Sequence, residues 1–299
     1  MFRHDKHGRR TCGGCLLRFA TFLLLVCLVV YPFVEPFMLQ TDQKALTSAD
    51  LPASVGQLRI VYLTDIHQGP FFSEGRVYDL IRTVNRLNPD IVLMGGDYAN
   101  DSDGALAFFE NMPAIRANYG VYAVLGNHDR TLPAGNLQKI KSAMISHGVT
   151  PLVNDVVAVR VGQETIYIAG IDDPSNGHPS IAGVSGRVRK EDYVIFLSHS
   201  PEVIDDAHKA TDMNGKTGWF DLALFGHTHG GQIAFVGEWL GLAKVDADHQ
   251  RGWITENRVD MLISHGVGTS ILPLRVLRPP QIHLITVKSC LLYTSDAAD

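Results

Sequence analysis

Five short apolar runs in this 299-residue chain each end in side chains that can hold a metal ion. Leu58 to Leu63 leads into Thr64-Asp65-Ile66-His67, and Ile91 to Met94 into Gly95-Gly96-Asp97. Val121 to Leu125 leads into Gly126-Asn127-His128-Asp129, Tyr193 to Leu197 into Ser198-His199, and Leu222 to Phe225 into Gly226-His227-Thr228-His229. Taken singly, such a terminus means little. An Asp after two glycines is an ordinary turn former or helix N-cap, and two neighbouring histidines arise readily in a chain with 13 of them. Independent turns, however, have no reason to use Asp, Asn and His at run after run. A carboxylate can bridge two cations, while neutral imidazole and amide oxygen complete each shell without adding charge. Nitrogen and oxygen ligation without sulfur suits Zn, Mn or Fe better than Cu(I) or Mg alone. Two such ions held about 3.5–4 Å apart acidify a bound water and polarise phosphoryl oxygens, which is the chemistry of hydrolysis.

The elements that must position these groups are legible around them. Short continuous apolar runs bounded by turn residues read as buried strands. After the first, Val77, Leu80, Ile81, Val84 and Leu87 recur at helical spacing until Asn88-Pro89 stops them. A second helical stretch surrounds Leu106 to Phe109, and a third carries Leu137, Ile140 and Met144, with Gly148 placed to cap its C-terminus. Strands alternating with helices indicate βαβ units and an α/β fold. Val156 to Val161 and Thr165 to Ile171 flank Gly162-Gln163-Glu164 as a hairpin, and Met261 to Ser264 and Ile282 to Val287 add two more strands. Ligands of open α/β sheets gather at the carboxyl ends of the strands, so the shared chain direction carries the five polar termini toward one rim.

The remainder of the chain bounds the setting. With 45% hydrophobic and 19% charged residues it can fill one sizeable core, and a formal charge of −5 argues against a nucleic-acid-coating role. Residues 1–18 are basic, with Arg3, Lys6, Arg9, Arg10 and Arg18 against Asp5 alone. Residues 19–39 are apolar and read as a membrane anchor or the core of an export signal. Arg9-Arg10 hints at twin-arginine export, and Thr47-Ser48-Ala49 is a small-x-small site, though it lies well past the apolar run. An uncleaved anchor is the favoured reading, and the basic flank then places the body on the extracytoplasmic side. Residues 40–54 read as a polar linker, 55–288 as the catalytic body and 289–299 as a tail. From Leu291 the tail has no apolar period and resembles translated adapter sequence, so it is expected to be no part of the fold. None of Cys12, Cys15, Cys27 and Cys290 lies between Asp50 and Lys288, which leaves the body without a disulfide or thiolate ligand, and Cys12-Gly-Gly-Cys15 reads as juxtamembrane thiols.

Asp65-x-His67, Gly96-Asp97, Gly126-Asn127-His128-Asp129, His199 and Gly226-His227-Thr228-His229 together resemble the ordered motifs of calcineurin-like metallophosphoesterases, over about Leu58 to Val287. The resemblance implies layered β-sheets, a β-sandwich flanked by helices, and a pair of divalent ions, Mn, Zn or Fe. It implies that Asp65, His67 and His229 hold one ion, that Asn127, His199 and His227 hold the other, and that Asp97 bridges. His128 is not a ligand in that pattern. It contacts the phosphate and protonates or stabilises the leaving oxygen, with Asp129 orienting its ring, while a metal-bound hydroxide attacks phosphorus in line.

Gly170-Ile-Asp-Asp-Pro174, Gly230-Gly231-Gln232 and the stretch from Gly266 to Arg275 with Pro279-Pro280 look like a membrane-anchored bacterial branch of that family. In that light Arg275 is either a bidentate phosphate contact, beside Asn127 and His128 in substrate binding, or a solvated surface residue, and Asp172 and Asp173 are turn formers. The expected activity is hydrolysis of a phosphodiester or phosphomonoester, with a lipid or cell-envelope compound as a candidate substrate. One alternative is UDP-2,3-diacylglucosamine pyrophosphatase chemistry, which would call for a cytoplasmic body. A metal-binding membrane protein without enzymatic activity is an alternative of another class.

Overall fold

The computed structural model describes residues 12–131, 136–234 and 245–290. The basic residues up to Arg10 and the tail from Leu291 lie outside the described residues. Two six-stranded sheets form the body. The first has the order β1(Gln40–Ser48), β12(Gln281–Ser289), β2(Gln57–Leu63), β3(Ile91–Met94), β4(Val121–Ala123), β5(Val149–Pro151). The second runs β10(Gly252–Glu256), β11(Val259–Ile263), β9(Leu222–Phe225), β8(Val194–Leu197), β7(Glu164–Gly170), β6(Asp155–Val161). Strands β2 to β5 are parallel neighbours, as are β7, β8, β9 and β11, so each sheet sends a set of carboxyl ends the same way.

The two-residue period of the strands sorts the apolar side chains into layers. Ile60, Tyr62, Ile91 and Leu93 meet Ile168, Ile195, Leu197 and Leu224 between the sheets. Their neighbours Val61, Leu63, Val92 and Met94 point outward and pack under α2(Glu74–Arg86), α3(Ser102–Asn111) and α4(Asn136–Ser146). On the far side Ala169, Phe196, Ala223 and Phe225 pack with Val184 of α5(Ile181–Ser185), Ile204 and Ala207 of α6(Ile204–Lys209), and Trp219. Each such side chain contributes about 1.5–3 kcal/mol on burial. The strands are therefore fixed on both faces, and their ends form a stiff platform. Gly148, at φ 74°, donates its N–H to the carbonyl of Ile145 and closes α4 as a left-handed cap.

One stretch differs from its sequence reading. Residues 40–48, expected within a polar linker, form β1, paired in parallel with β12 from Gln40–Gln281 to Ser48–Ser289. Their polar composition suits an edge strand rather than a tether: most of β1 faces water, Lys44 lies over the Trp253 ring and Asp42 pairs with His283 at 3.2 Å. The apolar N-terminal segment forms one helix, α1(Cys12–Val34), and the span Gly14–Phe37 is long and apolar enough to cross a membrane. It is not tethered loosely. The carbonyl of Pro32 accepts from the Arg275 N–H, buried Glu35 accepts from the Leu277 N–H, and Arg76 reaches the Pro36 carbonyl.

Because β1 covers the edge of β12, a chain beginning at Leu39 is expected to fold and stay dispersed in detergent-free buffer. A chain beginning at Leu51 is expected to aggregate or to lose at least several degrees of Tm, which thermal unfolding with light scattering would record.

Candidate metal centre

The sequence-selected strand-end residues converge on one cleft, and Arg275 lies against it, with Nη2 3.5 Å from His229 Nδ1. Asp65 and His67 follow β2, Asp97 follows β3, Asn127 and His128 follow β4, His199 follows β8, and His227 and His229 follow β9. The two sheets are sewn together here. His199 Nδ1 lies 2.8 Å from the Gly95 carbonyl, and the His227 N–H reaches both Asp65 carboxylate oxygens at 3.0 and 3.1 Å. Asp65, His67, Asp97, Asp129, His199 and His229 are buried, and Asn127, His128 and His227 are half-buried at the mouth.

Donor atoms crowd in two groups around Asp97. On one side His67 Nε2 and His229 Nε2 approach to 3.1 Å, with Asp65 Oδ1 3.5 Å from the latter. On the other, Asn127 Oδ1 lies 3.1 Å from His199 Nε2 and 2.9 Å from His227 Nδ1. Asp97 Oδ2 stands between them, 3.6 Å from His67 Nε2 and 3.3 Å from His199 Nε2. Burial keeps the His67 and His229 imidazoles below their usual pKa, His229 additionally through His67 and the Arg275 guanidinium, and burial takes His227 down to about 4. Neutral imidazoles thus face one another with few protons to share, a packing that a cation between them would relieve. Burial opposes ionisation of Asp97, but His199 and His67 outweigh it and hold the carboxyl below the usual range. Burial likewise opposes protonation of His199, and Asp97 reverses that and raises it. The donor set of nitrogen and oxygen atoms, with a carboxylate in the middle, therefore fits a pair of divalent ions. Geometry alone also brings His128 within reach of His67 and Asp97.

The backbone is bent to make this possible. Asp65, His67, Asp97, His227 and His229 all lie at positive φ, between 49° and 68°. Asp and His tolerate that region better than most residues, yet each costs on the order of 1 kcal/mol and persists because the surroundings enforce it. Gly126 shows how tight the fit is: a Cβ there would overlap the Asp97 carboxylate, and one on Gly96 would come 2.9 Å from His199 Nδ1.

Two expectations about side chains change. Asp129, read as orienting the His128 ring, instead spends its oxygens on the N–H groups of Asp97, Tyr98 and Gly126, at 2.7, 3.0 and 2.8 Å. It ties the β3 and β4 loops together, which fixes Asp97 rather than the imidazole. Burial and the nearby Asp97 charge push its carboxyl up to about 8 against the Gly126 and Tyr98 donors. Arg275, read as a phosphate contact or a surface residue, is neither. It is fully buried, and its guanidinium donates to the carbonyls of His265, Gly266, Gly268 and Arg278. It clamps the 265–268 loop, whose Gly268 N–H bonds the Asp65 carbonyl at 2.7 Å. Asp172 and Asp173 do act at turns: Asp172 pairs with Arg130 at 3.0 Å, and Asp173 accepts from the Ser175 and Asn176 N–H groups.

Sequence reasoning missed Asn100. Its side-chain oxygen lies 3.1 Å from His67 Nδ1, and its backbone carbonyl 2.9 Å from His128 Nδ1. With Nδ1 donating in each ring, both Nε2 atoms are left facing the cleft. Only its place three residues after Asp97 hinted at this.

Comparison with known proteins gives the same picture. A family model described as calcineurin-like phosphoesterase matches residues 58–231. The chain is 29% identical over 267 residues to the uncharacterized metallophosphoesterase YkuE of Bacillus subtilis, covering 86% of this chain and 88% of that protein. It is 28% identical to an uncharacterized metallophosphoesterase of Aquifex aeolicus, covering 89% and 98%. It is also 28% identical to a Danio rerio transmembrane protein with a metallophosphoesterase domain, covering 80% of this chain and 55% of that protein.

Asn100→Ala is expected to weaken divalent-ion binding by about 10–100-fold, because it frees the His67 ring, while leaving the main-chain contact to His128 intact. The proton held between His199 and Asp97 must leave when a cation binds. Affinity measured by calorimetry should therefore rise with pH through neutrality, by about tenfold per unit for one displaced proton.

Proposed function

Since the chain belongs to the calcineurin-like phosphoesterase family, we propose that this metal-dependent phosphoric ester hydrolase uses the cleft around Asp97 to cleave a phosphodiester or phosphomonoester at a membrane surface. The observation that carries the reading is the placement of Asp97 between two groups of nitrogen and oxygen donors. Asp65, His67 and His229 would hold one ion and Asn127, His199 and His227 the other, with Asp97 placed to serve both. Bound there, two divalent ions supply an acidified water and neutralise phosphoryl oxygens.

The protein's own groups supply the rest. Half-buried at the mouth, His128 is held by two hydrogen bonds: its N–H donates to Asp97 Oδ1 and its Nδ1 faces the Asn100 carbonyl. Nε2 is then the atom free to carry a proton to the leaving oxygen. Asn127 and His128 together contact the phosphate. Asp129 acts through the backbone, keeping the loops that carry Asp97 and His128 in register.

The apolar helix α1 supports a membrane anchor, and the basic residues before it support an extracytoplasmic body by the positive-inside rule. A phosphoester in the cell envelope, lipid-linked or free, fits that placement better than a UDP-linked precursor made on the cytoplasmic side. In this reading the anchor lies within 14–37 and the catalytic body runs from β1 to β12, residues 40–289.

Purified protein loaded with Mn and assayed on bis(p-nitrophenyl) phosphate tests this. Asp97→Ala should lose bound metal and turnover together. His128→Ala should keep both ions and lose about 10²–10⁴-fold in kcat. Unchanged turnover in the His128 variant would remove that residue from the reaction.

A further inference from the structure

The loop from Thr269 to Leu277 carries large apolar side chains that are exposed to water. Ile271 is 86% exposed, Leu272 47% and Leu277 55%, and Phe71, in the loop after His67, is 50% exposed. These are not loose tips. Gln232, just past His229, accepts from the Ser270 N–H and donates to the Leu272 carbonyl. On its other side the loop is bonded to the anchor, Arg275 N–H to the Pro32 carbonyl at 2.9 Å and Leu277 N–H to Glu35 at 2.8 Å. Ile271 and Leu277 are moreover held at positive φ, 63° and 54°, a conformation that a β-branched residue such as Ile271 rarely adopts. Among the described residues, strain spent on presenting these exposed apolar side chains to water has no return.

Their position supplies the return. Pro32 lies within the apolar span Gly14–Phe37. Only about 7.5 Å of helix rise separates residue 32 from the end of that span. A loop hydrogen-bonded to residue 32 must therefore sit level with the last turn of the span. The next turn continues the rim: Phe37 is 68% exposed, and its ring stacks on the Arg76 guanidinium, which also donates to the Phe71 carbonyl.

We infer that Ile271, Leu272, Leu277 and Phe71 form an apolar rim that enters the interfacial layer of the same lipid bilayer that the anchor crosses. Apolar faces that lie on membranes sink roughly 5–10 Å into the boundary between headgroups and acyl chains, which matches the level at which the loop meets the helix. The loop is continuous with the clamp on Asp65 and His67, through Gly266 and Gly268. Seating the rim therefore holds the metal cleft at headgroup height, where a phosphoester borne by a lipid would reach it. This rests on the proposed reading of α1 as a membrane span, and the test separates the two.

Full-length protein with Cys12, Cys15, Cys27 and Cys290 replaced by Ser is spin-labelled at single cysteines and reconstituted into phosphatidylethanolamine–phosphatidylglycerol vesicles. Accessibility to oxygen is compared with accessibility to a water-soluble nickel chelate. Val26→Cys reports the anchor, Ile271→Cys and Leu272→Cys the rim, and Ile145→Cys, exposed on α4, the aqueous surface. The rim labels are expected to favour oxygen, as Val26 does, and Ile145 to favour the chelate. Rim labels that match Ile145 while Val26 reads as bilayer would overturn the rim and leave the anchor standing. An aqueous reading at Val26 would overturn both.

Discussion

The arrangement turns on one buried carboxylate. Asp97 sits below the surface, in contact with His67 on one side and His199 on the other. Burying a negative charge is costly unless positive charge comes with it. In the protein alone, a proton on His199 meets part of that need. A pair of cations would meet it more fully, and would also separate the His67 and His229 nitrogens that the fold brings to 3.1 Å. Much of the surrounding structure holds that carboxylate in place: Asp129 across two loops, Gly96 and Gly126 by lacking side chains, and Arg275 by clamping the loop beneath Asp65.

The strand ends and the family were legible in the sequence because both depend on local order. A short apolar run buried on both faces has a distinctive composition, and the polar residue at its end follows directly. The role of residues 40–48 was not legible, since a polar edge strand becomes a strand only when the edge of β12, more than two hundred residues later, is there to pair with it. Asn100 was missed for a related reason. It holds His128 through a backbone carbonyl, which any residue type would offer. Arg275 was misjudged because a buried guanidinium needs a cage of carbonyls, and those come from loop geometry that no spacing rule encodes. Asp129 stands next to His128 in the chain, yet its side chain turns to backbone N–H groups instead.

The candidate membrane span and the cleft are parts of one construction. The chain leaves α1 bonded to the loop that clamps Asp65, passes into β1 and so into the sheet that carries three of the five polar termini. A membrane helix that merely tethered a domain would need none of these bonds. Their presence gives the cleft a fixed position relative to the helix.

The most direct test of the shared carboxylate is anomalous diffraction from Mn-loaded crystals. Two peaks about 3.5–4 Å apart, with an Asp97 oxygen between them, are expected for a bimetallic hydrolase. A single peak, or two that leave Asp97 uncoordinated, would contradict the role given to that residue.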